Sequence, residues 1–396
     1  MMIDRRSFLR TTGGAALAAP LLGSAACGAS TGGAQLASGS KEASAGALPV
    51  SFANESGYPD SAVRLYIVGT DTSTGKQGRV RPDGTFAPVQ LSDNTDGGYT
   101  DYSIPLTEAG GLTLPFMSGR IYLALEGKLR FKAVEDGNGD AALQYPAGWV
   151  ESDSSFDVLH DTVEFTHDET GMYCNTTMVD SFCVPLAIAL SGEREQSTGR
   201  LKPGGRDRVF DTLLADPDYS PLVVGDRRRV IAPGHGIDSG RFSADYYASY
   251  IDRVWSRYSG TDLRVTTNEG TFTGRVDGSG QLAFDGGVAP IAKPSTRDVF
   301  FCDGALTAPN DGITGPVAAI LGAAFNRSTL LDTAEHPVSE ASAFYNADVT
   351  NKYAAVFHEV TEDGRAYGFA FDDVSGFASY IQDHSPASFE VSLTPF

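Results

Sequence analysis

Glu164 and Asp180 are the residues of this chain best suited by type and spacing to acid–base chemistry. Glu164 lies in Asp161-Thr-Val-Glu-Phe-Thr-His-Asp168, and Asp180 closes Gly171-Met-Tyr-Cys-Asn-Thr-Thr-Met-Val-Asp180 sixteen residues later. Polar and apolar residues alternate around them as in a β-hairpin, where a charge costs free energy unless something uses it. Two carboxyl groups facing one groove can cleave a glycosidic bond. One protonates the bridging oxygen, and the other attacks the sugar or activates a water.

The elements that must position them follow from parity. In a strand over Asp161 to Thr166, the side chains of Thr162, Glu164 and Thr166 share one face, while Val163 and Phe165 take the other. Turn residues follow from His167 to Gly171, and a second strand starts at Met172. A tight hairpin brings Tyr173, Asn175 and Thr177 onto the Glu164 face, a polar surface with one aromatic that suits sugar rings and hydroxyls. Asp180 has the wrong parity for that face, so a bulge or bend between Thr177 and Asp180 must re-aim it.

The rest of the chain reads as strands, then a mixed region, then strands. From Leu48 to about Leu190 short strands alternate with turns. Val63 to Val68 is one, and Arg120–Leu125 with Lys128–Lys132 flanks Glu126-Gly127, a hairpin signal. The spacing suits a sandwich or barrel. Helices are predicted over Asp207–Ala215, over Ser243–Tyr258 with Ser243 as N-cap, and over Val317–Phe325, apolar nearly all round and so buried. Leu263 to Phe284 reads as strands joined at Asp277-Gly278. Strands are expected again over Tyr353–Val360, Tyr367–Phe371 and Ser388–Leu393. This gives a β domain of residues 48–191 plus 352–396 and a mixed α/β domain of 192–351.

Composition narrows the function. The formal charge of −20 argues against nucleic acid and anionic membrane as partners, whereas neutral polysaccharide is compatible. The 45 glycines and 10% aromatics suit a β-rich protein with tight turns. His160 and His167 have no metal-ligand spacing, and there is no H-E-x-x-H, G-x-S-x-G or P-loop. Asp136-Gly-Asn-Gly-Asp140 begins like a calcium loop but continues with Ala141 and reaches Ala147 where glutamate is needed, so a hairpin turn is the better reading. Arg227-Arg228-Arg229 reads as a solvated face. Cys174, Cys183 and Cys302 are either one disulfide plus a thiol or three buried thiols. Asp303 and Asp311, in a loop punctuated by glycine and proline, either line the groove from the second domain or cap turns.

The N-terminus reads as a targeting segment. Arg5-Arg6 before the apolar run Ala15–Leu22 matches a twin-arginine export signal over residues 1–27. Cys27, after Ser24-Ala25-Ala26, is read as a lipid attachment site, with ordinary signal cleavage as the alternative. Residues 28–47, rich in Gly, Ala and Ser, then form a flexible tether.

The block Thr162-Val-Glu164-Phe-Thr166 with Asn175-Thr-Thr-Met-Val-Asp180-Ser-Phe-Cys-Val-Pro185 resembles the catalytic segment of glycoside hydrolase family 64, the secreted bacterial β-1,3-glucanases. Tyr246-Tyr-Ala-Ser-Tyr-Ile-Asp-Arg-Val-Trp255, Cys302-Asp-Gly-Ala-Leu-Thr-Ala-Pro-Asn-Asp311 and Gly322-Ala-Ala-Phe-Asn-Arg-Ser328 resemble the family too, and the likeness runs from about Leu48 to Phe396. It implies a mainly β fold, a thaumatin-like barrel whose inserted α/β domain forms the other wall of a wide groove. Tyr367-Gly-Phe-Ala-Phe-Asp-Asp-Val-Ser-Gly376 resembles that barrel's closing strands. The resemblance also implies endo-acting, inverting hydrolysis of β-1,3-glucan (laminarin, curdlan or fungal wall glucan) to laminari-oligosaccharides, laminaripentaose in particular. Glu164 would be the general acid and Asp180 the general base, with no metal or cofactor. Sugar contacts would fall on Thr166, Asp168, Tyr173 and Thr177, although the family often has asparagine and tryptophan where this chain has Asp168 and Tyr173. Glu164, between Val163 and Phe165 in sequence, is the group expected to be held protonated by partial desolvation. An open groove needs no partner chain, so a monomer is expected. The rival reading is a non-catalytic glucan-binding envelope protein on the same scaffold.

Overall fold

A computed structural model describes residues 46–396. The twin-arginine segment, Cys27 and all but the last two residues of the tether lie outside the described residues. The fold is mainly β, with helices concentrated after residue 200. Two sheets build the first half. One is five-stranded and pairs β1 (Leu48–Asn54) in parallel with the final strand, Ser388–Leu393. The other is eight-stranded and carries the site. Its central run is β2 (Val63–Asp71), β3 (Met117–Leu125), β4 (Leu159–Asp168), β5 (Gly171–Thr176) and, at the edge, Tyr380–Asp383.

Alternation in β4 decides which face is core. Val163 and Phe165 are buried with Ile67, Ile121, Met172 and Cys174 between the two sheets. Each such side chain contributes roughly 1.5–3 kcal/mol on burial. Thr162, Glu164, Thr166 and Asp168 point the other way and remain partly exposed. The hairpin forms as its pattern predicts, with Glu164 opposite Asn175 and Thr166 opposite Tyr173. Between β2 and β3 the backbones approach so closely at Gly119 that a Cβ there would sit 2.2 Å from the Val68 carbonyl oxygen. Only glycine fits.

The hairpin expected at Glu126-Gly127 does not form. β3 pairs instead with β2 and β4, so both its edges are taken by distant strands. Lys128 to Arg130 run as loop, and Leu129 and Phe131 fill a third core against Tyr66 and Tyr122 on the far face of the sheet. Lys132–Glu135 pairs with Ala141–Gln144. The Asp136–Asp140 segment is the turn of that hairpin, its Asp136 carboxylate accepting the N–H groups of Asn138 and Asp140.

The second half has its own core. The helices Gly205–Leu214 and Ala248–Gly260 pack there with α2 (Thr314–Asn326), which is buried nearly all round as its sequence predicts. Ser243 lies in turns before the long helix, which starts at Ala248. The stretch 263–284 forms three strands, Leu263–Thr267, Gly270–Val276 and Leu282–Phe284.

Two expected strands are not strands. Lys352–Val360 is a helix, α3, capped by the Asn351 side chain, which accepts the Ala354 N–H. Its buried residues Tyr353, Val356, Phe357 and Val360 have helical spacing and join the second core. Tyr367 to Phe371 is an irregular turn whose Phe369 and Phe371 pack against Ala319 and Ala323. The chain therefore returns to the first half at Tyr380, with Ser388–Leu393 forming the expected final strand. Cys174, Cys183 and Cys302 are all buried thiols.

Candidate active site

Strand register lays two rows of side chains across the exposed face of the eight-stranded sheet. Arg120, Glu164, Asn175 and Tyr380 form one row, and Ser118, Thr166, Tyr173 and Gln382 the next. Four strands at about 4.8 Å spacing make this floor about 14 Å wide. It is built from mutual contacts. Arg120 donates to Glu164 Oε1 from Nη2 at 2.7 Å and from Nε at 3.0 Å. Asn175 Nδ2 donates to Glu164 Oε2 at 3.3 Å. The Ser118 and Thr166 hydroxyls are 2.8 Å apart.

Glu164 and Arg120 are about a quarter exposed, at 24% and 25% of their side chains. The paired donors on one oxygen fix the orientation of Glu164. Burial works against the Arg120 charge, yet Glu164 first, then Tyr122 and Asp180, outweigh it and keep the guanidinium firmly protonated. The sequence-based reason for a protonated Glu164 needs correction: Val163 and Phe165 face the core, and Glu164's own neighbours are polar.

Asp180 reaches the site by leaving the sheet. β5 ends at Thr176, and the chain bends through 177–180, which meets the requirement set by its parity. Met178 and Phe182, two residues to either side, are buried in the second core, and the Met178 carbonyl accepts the Tyr353 hydroxyl at 2.6 Å. Strand β6 (Ser181–Phe182) then pairs with β7 (Arg229–Ile231). The Asp180 carbonyl accepts the Ala232 N–H at 3.0 Å. Immediately after, helix α1 (Pro233–Asp238) presents His235, whose Nε2 is 2.8 Å from Asp180 Oδ1. The His235 ring is stacked on Trp149, with centroids 4.7 Å apart, and met edge-on by Phe301 at 5.1 Å.

Beneath this lies a buried polar layer. Arg229 is 1% exposed, not a solvated charge, and its Nη2 donates to the Val158 carbonyl at 2.7 Å. Burial, helped by the Arg229 charge, lowers His160 to about 3. Asp161 accepts the N–H groups of Cys183 and Val184. Burial pushes it up to about 7 against those donors and Arg229.

Of the residues expected at the site, Glu164, Thr166, Tyr173 and Asn175 share one face, and Thr177 and Asp180 lie in the adjoining bend. Asp168 sits at the hairpin turn, about 13 Å along the strand from Glu164, with its carboxylate accepting Thr170 N–H at 2.8 Å. Asp303 accepts the Thr307 hydroxyl within its own loop, and Asp311 accepts the N–H groups of Ile313 and Gly315 at the start of α2. Arg120, His235 and Trp149 are not among the site residues expected from the sequence. Arg120 carried a faint signal, a lone cation in a strand-like apolar run.

One carboxylate on the sheet floor and a second in the adjoining bend, both acting on the charge of Arg120, are the equipment of a glycoside hydrolase. Residues 46–393 match the β-1,3-glucanase family, and the chain belongs to glycoside hydrolase family 64. A glucan endo-1,3-beta-glucosidase of Arthrobacter sp. (strain YCWD3) is 34% identical over 88% of this chain, which spans 65% of that relative's length. The crystal structure of a laminaripentaose-producing beta-1,3-glucanase in complex with laminaritetraose superposes with a TM-score of 0.81 at 35% identity, covering 88% of this chain and 99% of the other. The beta-1,3-glucanase domain (GH64) from Clostridium beijerinckii gives a TM-score of 0.81 at 25% identity, covering 89% and 99%.

Proposed function

We propose that this protein is an endo-acting, inverting β-1,3-glucan hydrolase that releases laminari-oligosaccharides, laminaripentaose among them. The observation that carries the reading is Glu164 held by Arg120 and Asn175 on a floor of hydroxyls and amides, with Asp180 held by His235 in the adjoining bend. Glu164 gives its proton to the bridging oxygen as the bond to C1 breaks. Asp180 takes a proton from the water that attacks C1 on the opposite face. Arg120 holds Glu164 in place through two hydrogen bonds to Oε1. Thr166, Asp168, Tyr173, Asn175, Thr177, Asp303 and Asp311 are the proposed sugar contacts, and the thaumatin-like description of the first half belongs to the same proposal. So does export by the twin-arginine route with lipidation at Cys27, which the paired arginines and the small residues before Cys27 support.

Proton NMR of the anomeric signals during laminarin digestion tests the reaction. Initial α-anomer is the expected product. Initial β-anomer overturns the assigned roles, and no product overturns the enzyme.

A further inference from the structure

We infer that His235 is the positioning residue for Asp180, and that Trp149 acts as the clamp of the imidazole rather than as a platform for sugar. The inference rests on the proposed role of Asp180 as base.

Asp180 lies in a bend rather than in a strand, so sheet register does not fix its side chain. A base that must meet a water within hydrogen-bond reach cannot rotate freely about its side-chain torsions. His235 supplies the constraint at 2.8 Å. A carboxylate has no hydrogen to give, so Nε2 carries the proton and donates it. The same short segment pins the backbone as well, through the Ala232 N–H on the Asp180 carbonyl. One peptide therefore holds the base at both ends.

The ring that makes the contact is itself held. Trp149 lies nearly parallel to it at 24°, and Phe301 stands against it at 81°. The loop carrying Trp149 is seated on the buried layer. A Cβ at Gly148 would come within 2.7 Å of both Arg229 Nη1 and the His160 ring. One face of the indole is thus occupied by His235, and its place is set from below.

The charged and titratable groups around the pair are Arg120, Tyr122 and Tyr353 toward Asp180, and Asp238 toward His235. Asp238 is paired with Arg297 at 2.8 Å. All remain in the variants below, so changes between variants report the residues replaced.

Steady-state kinetics of the full chain on laminarin, with melting temperature measured in parallel, tests the inference. His235→Leu is expected to lower kcat about 10–100-fold with KM within about twofold of wild type. It should also move the acidic limb of the kcat profile to higher pH, because losing an N–H donor disfavours the carboxylate. His235→Gln, whose amide nitrogen can reach the Nε2 position, should return most of the rate. His235→Asn, polar but a bond shorter, should not, and it serves if the leucine variant fails to fold. Trp149→Leu combined with His235→Leu should cost less than the product of the single losses. A raised KM at unchanged kcat for Trp149→Leu would make the tryptophan a sugar platform and overturn its part. Equal losses for glutamine and asparagine, with the pH limb unmoved, would make His235 merely structural. Wild-type rate in Asp180→Asn would sink the role of Asp180 itself, whichever way the histidine variants behave.

Discussion

Arg120 places two nitrogens on a single oxygen of Glu164, at 2.7 Å and 3.0 Å, while lying in the field of Asp180. The side chain lies directly opposite Glu164 in the β3–β4 register. The contact holds Oε1, and Asn175 Nδ2 holds Oε2 at 3.3 Å, so both oxygens of Glu164 are oriented.

Replacing Arg120 by alanine should therefore lower kcat on laminarin by about 10²-fold, with Arg120→Lys intermediate because a point charge cannot hold both hydrogen bonds. Laminarin hydrolysis at the wild-type rate in Arg120→Ala would remove the guanidinium from the reaction.

Glu164→Gln and Asp180→Asn keep size and polarity but remove the proposed proton donor and the proposed base. Each is expected to reduce reducing-sugar release by about 10²–10⁴-fold with unchanged circular dichroism. A variant that hydrolyses laminarin normally takes its residue out of the mechanism.

Stability should respond at a different place. Asp372 is fully buried, takes Arg327 Nη2 at 3.1 Å and faces His358 Nε2 at 3.0 Å. The other His358 nitrogen faces the Gly364 carbonyl at 2.9 Å, so both nitrogens donate and the ring is an imidazolium. Burial opposes that charge, but Asp372 outweighs it and raises the His358 pKa. The resulting stabilisation is fully present below about pH 6.5 and is lost as pH rises through the raised folded value. Asp372→Asn should cost about 3–5 kcal/mol by leaving Arg327 uncompensated, measured by urea unfolding at pH 6. His358→Gln should flatten the alkaline fall in stability. A wild-type unfolding midpoint in Asp372→Asn would show that the triad contributes little.

Much of this was readable from residue order. Alternation in β4 and β5 placed Glu164, Thr166, Tyr173 and Asn175 on one face, because parity is local. Parity also required the bend before Asp180. What stayed hidden was non-local. Arg120 is 44 residues from Glu164, and its strand's partners had to be known before the pair could be seen. The segment after Lys352 misled because Tyr, Val and Phe favour strands, although burial at 353, 356, 357 and 360 repeats with a helix's period. Arg229 looked like one of three solvated charges, and only its position under the Asp180 bend takes it inside.

Glu164 is rooted in the sheet, whereas Met178 and Phe182 root Asp180 among the helices. The space between the proposed acid and the proposed base thus straddles a seam between two separately cored halves. Warming that loosens the seam by an ångström would stop turnover while each half still kept its secondary structure, so inactivation should run ahead of melting.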